Sequence, residues 1–155
     1  MAVWILKTEP AECSLDDIRD VPGGVMRWDG IRNYQARNNL RAMRCGDTCL
    51  VYHSSVRDAG IVGSAVLLRE AYPDPAQFDA ASPLFDAKAS SEAPRWYAVD
   101  IRYEGRFPAV LPAQQLREES ALTELALLRQ GRLSVSPVSD AQWLVLQSLL
   151  GRPAP

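Results

Sequence analysis

Between Arg27 and Arg44 the chain gathers side chains suited to gripping a nucleic acid. The segment RWDGIRNYQARNNLRAMR holds five arginines (Arg27, Arg32, Arg37, Arg41 and Arg44) against one acid, Asp29. Guanidinium groups hold phosphates through charge and paired N–H donors. Trp28 and Tyr34 supply aromatic faces on which a base can stack, and Asn33, Gln35 and Asn38 supply amides able to read a base edge. Ala36, Leu40 and Met43 fall at i, i+4 and i+7 and predict one apolar helix stripe over 34–44. Arg37, Arg41 and Arg44 fall one position on and line the adjacent face. With Arg32 they are the candidate phosphate ligands. The same residues also read as a solvated arginine face over an ordinary helix, with Trp28 in the core, and the segment alone does not choose between the two.

Other chemistry is sparse. The chain has no P-loop, no GxGxxG, no HExxH and no GxSxG, so neither a cofactor nor a metal is expected. Its three cysteines, Cys13, Cys45 and Cys49, form no CxxC pair. An odd count without that spacing argues against a disulfide framework and fits a reducing, cytoplasmic compartment. His53 is the single histidine, followed by Ser54 and Ser55. Adjacent residues on a strand point to opposite faces, so a Ser–His dyad would diverge. His53 reads better as a hydrogen-bonding group at a pocket rim. Asp16 and Asp17 read as acids favoured in the first turn of a helix, not as a catalytic carboxylate pair.

The elements that must position these groups are short. With 155 residues, 47% of them apolar, the chain is expected to form one domain, residues 1–155, with its own core. A formal net charge of −2 is not that of a general polyanion binder, so any such binding must come from a local patch. No run of 18 apolar residues predicts a membrane span. Strands are predicted over 2–6, 48–53, 61–70, 96–103, 107–111 and 133–135. Short helices are predicted after Ser14, over 34–44, 113–117 and 123–129, and after Ser139, with Trp143, Leu146 and Leu150 on one face. Residues 72–95, with four prolines, are expected to form a long loop. There is no βαβ rhythm, and the pattern predicts an α+β domain on a small, twisted β-barrel.

The block Trp28-Asp29-Gly30-Ile31-Arg32-Asn33-Tyr34-Gln35-Ala36-Arg37-Asn38 resembles the signature of the EVE domain family. Further landmarks agree in order: Lys7-Thr8-Glu9-Pro10, Ser14-Leu15-Asp16-Asp17, Tyr52-His53-Ser54, Gly60-Ile61-Val62-Gly63, Trp96 with Val99-Asp100, and Arg132-Leu133-Ser134-Val135. The resemblance covers nearly the whole chain. It departs at Phe85-Asp86-Ala87-Lys88, where relatives often carry a tyrosine and a proline. It implies a PUA-like small β-barrel or pseudo-barrel with flanking helices. It also implies a base-binding pocket lined by Lys7, Thr8, Trp28, Asn33, Ser54, Arg132 and Ser134, with Tyr34 and His53 beside them. The family is similar to the YTH readers of methylated adenine, and is implicated in recognising modified bases, including modified cytosines in DNA.

The expectation that follows is a non-catalytic, cytoplasmic reader of nucleic acid, DNA ahead of RNA, that captures one modified base in an aromatic pocket. Two rival classes stay open at this level. One is an enzyme acting on a modified nucleotide, with His53 or Glu9 as its acid or base. The other is a small-metabolite sensor or interaction module using the same pocket.

Overall fold

Alternating burial along the strands gives one six-stranded sheet an apolar layer on each face. The computed structural model describes all 155 residues. In chain order the elements are β1 (Val3–Thr8), α1 (Leu15–Asp20), β2 (Met26–Trp28), α2 (Tyr34–Ala42), β3 (Thr48–His53), β4 (Gly60–Pro73), β5 (Tyr97–Pro112), α3 (Ala113–Glu118), α4 (Ala126–Arg129), β6 (Val135–Val138) and α5 (Asp140–Leu150). The sheet order is β2-β5-β4-β3-β1-β6. β1 and β3 are parallel, and the other neighbours are antiparallel.

The period-2 alternation decides which helices go where. Trp4 and Leu6 of β1 and Cys49 and Val51 of β3 pack with α1 and α2 through Leu15, Ile18, Ala36 and Leu40. Val3 and Ile5 of β1 and Leu50 and Tyr52 of β3 point the other way, onto Leu116, Leu127, Leu146 and Leu150. Leu40 and Leu146 are fully buried, each stabilising the fold by roughly 2–3 kcal/mol. Ser14 opens α1 with a reciprocal cap: the Asp17 N–H donates to Ser14 Oγ, and the Ser14 N–H donates to the Asp17 carboxylate.

The sheet is mixed α+β as expected, but it is not closed. The ladder is open between β2, which pairs only with β5, and β6, which pairs only with β1. Those strands have three and four residues, too short to meet along a common edge. Instead α2 packs against β6, β5 and β4, and Asn39 Nδ2 donates to the Val135 carbonyl at 2.7 Å, satisfying a backbone acceptor of β6. The expected barrel is therefore an open, coiled sheet.

Other boundaries differ for local reasons. The two strands predicted over 96–103 and 107–111 are one strand, β5, because bulges in the β4–β5 ladder absorb the irregular pattern at Gly105-Arg106 without ending the pairing. β2 was not predicted, being only three residues long. Gly63 sits where β4, β5 and α1 meet: a Cβ there would fall 2.5 Å from the Gly105 carbonyl oxygen and from Leu15. The predicted loop 72–95 is not loosely held. Its Gln77 is fully buried, donating to the carbonyls of Asp74 and Trp96 and accepting from the N–H groups of Arg95 and Trp96.

Candidate functional site

The parallel pairing of β1 with β3 brings two strand ends together at Thr8 and His53, and the chain leaves both strands at the same edge of the sheet. Antiparallel β6 begins beside them, with the Lys7 N–H donating to the Ser134 carbonyl at 2.8 Å. A cavity of about 630 Å³ opens there. One wall is Lys7, Thr8 and the following Glu9, Glu12 and Cys13, a second is Met26 to Ile31, and Ser54, Gly131, Arg132 and Ser134 complete it.

Backbone and side-chain bonds hold these walls in place. The Thr8 hydroxyl donates to the Cys13 carbonyl at 2.9 Å, and the Ser54 N–H donates to the Thr8 carbonyl at 2.9 Å. Lys7 Nζ donates to the Gly131 carbonyl at 2.6 Å. Gly30 has φ +75°, a conformation that favours glycine, and this turn aims its N–H at Asp74 Oδ2, 3.0 Å away.

Trp28 lines the cavity but is only 7% exposed and belongs to the core below it. The core reading of this residue holds, and its small open area forms part of the wall of a ligand-sized cavity. It is a wall, not a free-standing platform.

Six of the nine expected pocket residues line this cavity: Lys7, Thr8, Trp28, Ser54, Arg132 and Ser134. Asn33, Tyr34 and His53 do not. The Asn33 side chain is the N-cap of α2, accepting from the Ala36 N–H at 2.9 Å. Tyr34 stacks on Trp96, with ring centroids 5.0 Å apart. His53 Nε2 accepts the Leu15 N–H at 3.1 Å, so its ring secures the start of α1. Its pKa is held below the ordinary value by burial first and by Arg106 second, against a weaker pull from Asp58 and Asp16.

None of the four arginines expected to hold phosphates lines the cavity. Arg32 pairs with Asp74 at 3.0 Å and donates to the Leu84 carbonyl. Arg37 donates to the Arg95 carbonyl and to Asn38 Oδ1. Arg41 lies over the Tyr97 ring, and Arg44 donates to the carbonyls of Arg41 and Met43. Hydrogen bonds within the protein engage donors of Arg32, Arg37 and Arg44, and none engages the Arg41 guanidinium. Phe85 to Lys88 lies near this face, where Asp86 accepts from Trp96 Nε1 and pairs with Arg95.

The cavity is also lined by groups outside the expected pocket set: Glu9, Glu12, Cys13, Asp17, Arg27 and Asp29. Asp29 is exposed as a residue, yet its carboxyl is held above the usual range, by partial withdrawal from water first and by the neighbouring Asp74 carboxylate second. Its place between Trp28 and the Gly30 turn was the one available signal. Together the walls offer carboxylate acceptors, hydroxyls and cationic donors around a part-apolar floor. That set can surround a planar polar heterocycle on its edges. No group of three or more His, Cys, Asp or Glu side chains is arranged to hold a metal, and no helix is long and apolar enough to cross a membrane.

Residues 2–149 match the family model for the EVE domain. Thymocyte nuclear protein 1 of Gallus gallus is 32% identical over 163 residues, spanning 94% of this chain and 67% of that protein. An X-ray structure of a protein from Pseudomonas putida is similar at 46% identity and a TM-score of 0.90, covering 96% of this chain and 99% of that one. The structure of human THYN1 protein in complex with 5-methylcytosine-containing DNA is similar at 30% identity and a TM-score of 0.91, covering 99% of this chain and 100% of that one.

Proposed function

The chain belongs to the EVE domain family, and from that premise we propose that it is a non-catalytic reader that takes one modified cytosine of DNA into the cavity beside Trp28. The observation that carries this reading is the cavity itself, ligand-sized and bordered by a core tryptophan, carboxylates and hydroxyls at the ends of β1 and β3. The human relative's complex with 5-methylcytosine-containing DNA supports the choice of ligand. The PUA-like pseudo-barrel assignment rests on the same premise, and the open sheet with an apolar layer on each face supports it.

The energetics set what each group must do. Extracting a base from a duplex costs a few kcal/mol. Stacking returns roughly 1–3 kcal/mol per base on a fully presented ring, and the small open area of Trp28 places this site at the low end. Hydrogen bonds must supply the rest. Asp29 is placed to accept from the exocyclic amine of cytosine, a donor that thymine lacks. Thr8, Ser54 and Ser134 add hydroxyls at the cavity wall. Burying one methyl group is worth about 0.8 kcal/mol, roughly fourfold in affinity, so a bare methyl mark is read modestly. A hydroxylated mark with a partner among those hydroxyls is read more strongly.

Fluorescence anisotropy with short single- and double-stranded oligonucleotides tests the reading. Each carries one cytosine, 5-methylcytosine, 5-hydroxymethylcytosine, thymine or N6-methyladenine at its centre. A modified cytosine should bind most tightly. Asp29→Ala should shrink the preference for 5-methylcytosine over thymine by about tenfold, since one base-edge contact is worth about 1–3 kcal/mol. Equal binding to all five by the wild type would overturn the proposal.

A further inference from the structure

The cavity beside Trp28 is poorly suited to a phosphate. Lys7, Arg27 and Arg132 face Glu9, Glu12, Asp17 and Asp29 there, and an acidic excess repels a phosphodiester. A nucleotide whose base enters this cavity must therefore carry its phosphates to a neighbouring surface.

Such a surface adjoins it. A second cavity, of about 460 Å³, shares Lys7 and Ser54 with the first. Its walls continue through Ser55, Arg57 and Asp58 in the turn between β3 and β4, and through Gln114 and Arg117 of α3. Here three cationic side chains, Lys7, Arg57 and Arg117, meet a single acid, Asp58. Arg57 and Arg117 are exposed, and neither takes part in any ion pair within the protein. Their donors are free, like those of Arg41 and unlike those of Arg32, Arg37 and Arg44.

The seam between the cavities is a defined piece of backbone. Ser55 is the only residue other than glycine with a positive φ, 60°, and its hydroxyl donates to Glu9 Oε1 at 3.1 Å. A left-handed serine costs roughly 1–2 kcal/mol, and its surroundings hold it there. Strain of this kind clusters at binding sites. The turn keeps Arg57 on the same side as Lys7.

We propose that this second cavity seats the phosphodiester flanking the captured base, with Arg57 and Arg117 as its cationic partners and Lys7 on the wall between base and phosphate. The inference rests on the base-capture reading for its geometry. It moves the nearest phosphate contacts from the α2 arginines to the β3–β4 turn and α3.

The test is the salt dependence of affinity for a duplex with one central 5-methylcytosine, measured by anisotropy between about 50 and 200 mM salt. The variants are Arg57→Gln/Arg117→Gln and Arg37→Gln/Arg41→Gln/Arg44→Gln, each checked for an unchanged melting temperature. Loss of two phosphate contacts should flatten the log–log slope by about 1.8 and weaken binding by roughly tenfold or more. The ratio of methylated to unmethylated affinity should stay as in the wild type, and the α2 triple variant should change the slope less. A wild-type slope in the Arg57/Arg117 variant, or a larger loss in the α2 variant, overturns the proposal. A wild type that binds methylated and unmethylated duplexes alike defeats base capture instead, and the slope comparison still decides where the phosphate sits.

Discussion

The guanidinium of Arg32 lies 3.0 Å from the carboxylate of Asp74, and Asp74 is fully buried. The same carboxylate accepts the N–H groups of Gly30 and Ala76. One side chain thus ties the turn that carries Trp28 and Asp29 to the long connection between β4 and β5. An arginine placed among candidate phosphate ligands by its position in the sequence is here a strut for the cavity wall.

Removing Asp74 should cost more than removing Arg32. Asp74→Ala leaves two backbone donors and a mostly covered guanidinium without their acceptor, which is expected to cost about 3 kcal/mol. Arg32→Ala leaves Asp74 with both backbone N–H groups, and about 1–2 kcal/mol is expected. Urea denaturation measures both. Equal costs would mean that the charge pair, not the backbone anchoring, dominates.

Asn33 should behave as a cap and not as a reader. Asn33→Ala is expected to destabilise the protein by about 1 kcal/mol, and Asn33→Asp to be tolerated, because both natural side chains accept the Ala36 N–H at an N-cap. The preference between cytosine and 5-methylcytosine should be the same in Asn33→Asp as in the wild type. A changed preference there would return Asn33 to the pocket.

What the sequence revealed, and what it hid, follows from how local each signal is. The bounds of β3, Thr48–His53, could be read directly, since a run of apolar residues ended by Ser54-Ser55 needs no distant partner. The stripe Ala36, Leu40 and Met43 is fully buried because helical periodicity is a property of neighbouring residues. β2 escaped notice, as three residues on an edge carry no period, and its existence depends on pairing with β5. The strand expected over 2–6 stops short of Lys7 and Thr8, yet parallel pairing with Tyr52 and His53 carries β1 through them. Polar residues were needed there because that is where the cavity opens. The resemblance put Asn33 in the pocket and His53 beside it by their place in a motif, and a motif position does not tell a cap from a ligand. The α2 arginines share that limit: their spacing was legible, but the Arg95 carbonyl that engages Arg37 and the Tyr97 ring under Arg41 come from distant segments.

His53 makes stability depend on pH in a direction that can be stated. Its ring must be neutral at Nε2 to accept the Leu15 N–H, and its pKa in the fold lies below the ordinary value of about 6.5. The unfolded chain therefore binds a proton more readily than the folded one. Stability from this group is complete above about pH 6.5 and is lost as pH falls through the lowered native value. Denaturation midpoints between about pH 7.5 and 5.5 should decline in the wild type and decline less in His53→Gln, which keeps an acceptor but cannot titrate. Identical profiles would assign the pH dependence to other groups.

Cys13 offers a footprint of the captured base. It lines the cavity and is half-buried, while Cys45 is exposed and Cys49 is buried. Burial, then Asp17 and Asp29, raise the Cys13 pKa, and burial pushes that of Cys49 up to about 12. Because the thiolate is the reactive form, iodoacetamide near neutral pH should modify Cys45 first and Cys13 slowly, and leave Cys49 intact in the folded protein. In a Cys45→Ser background the remaining reaction reports on Cys13 alone. A saturating oligonucleotide with the preferred modified base should slow that reaction in proportion to occupancy, and an unmodified oligonucleotide at the same concentration should slow it less. If the rate is unchanged while anisotropy shows full binding, the base lies outside this cavity, since a heterocycle resting against Trp28 and Asp29 cannot leave the neighbouring thiol open to the reagent.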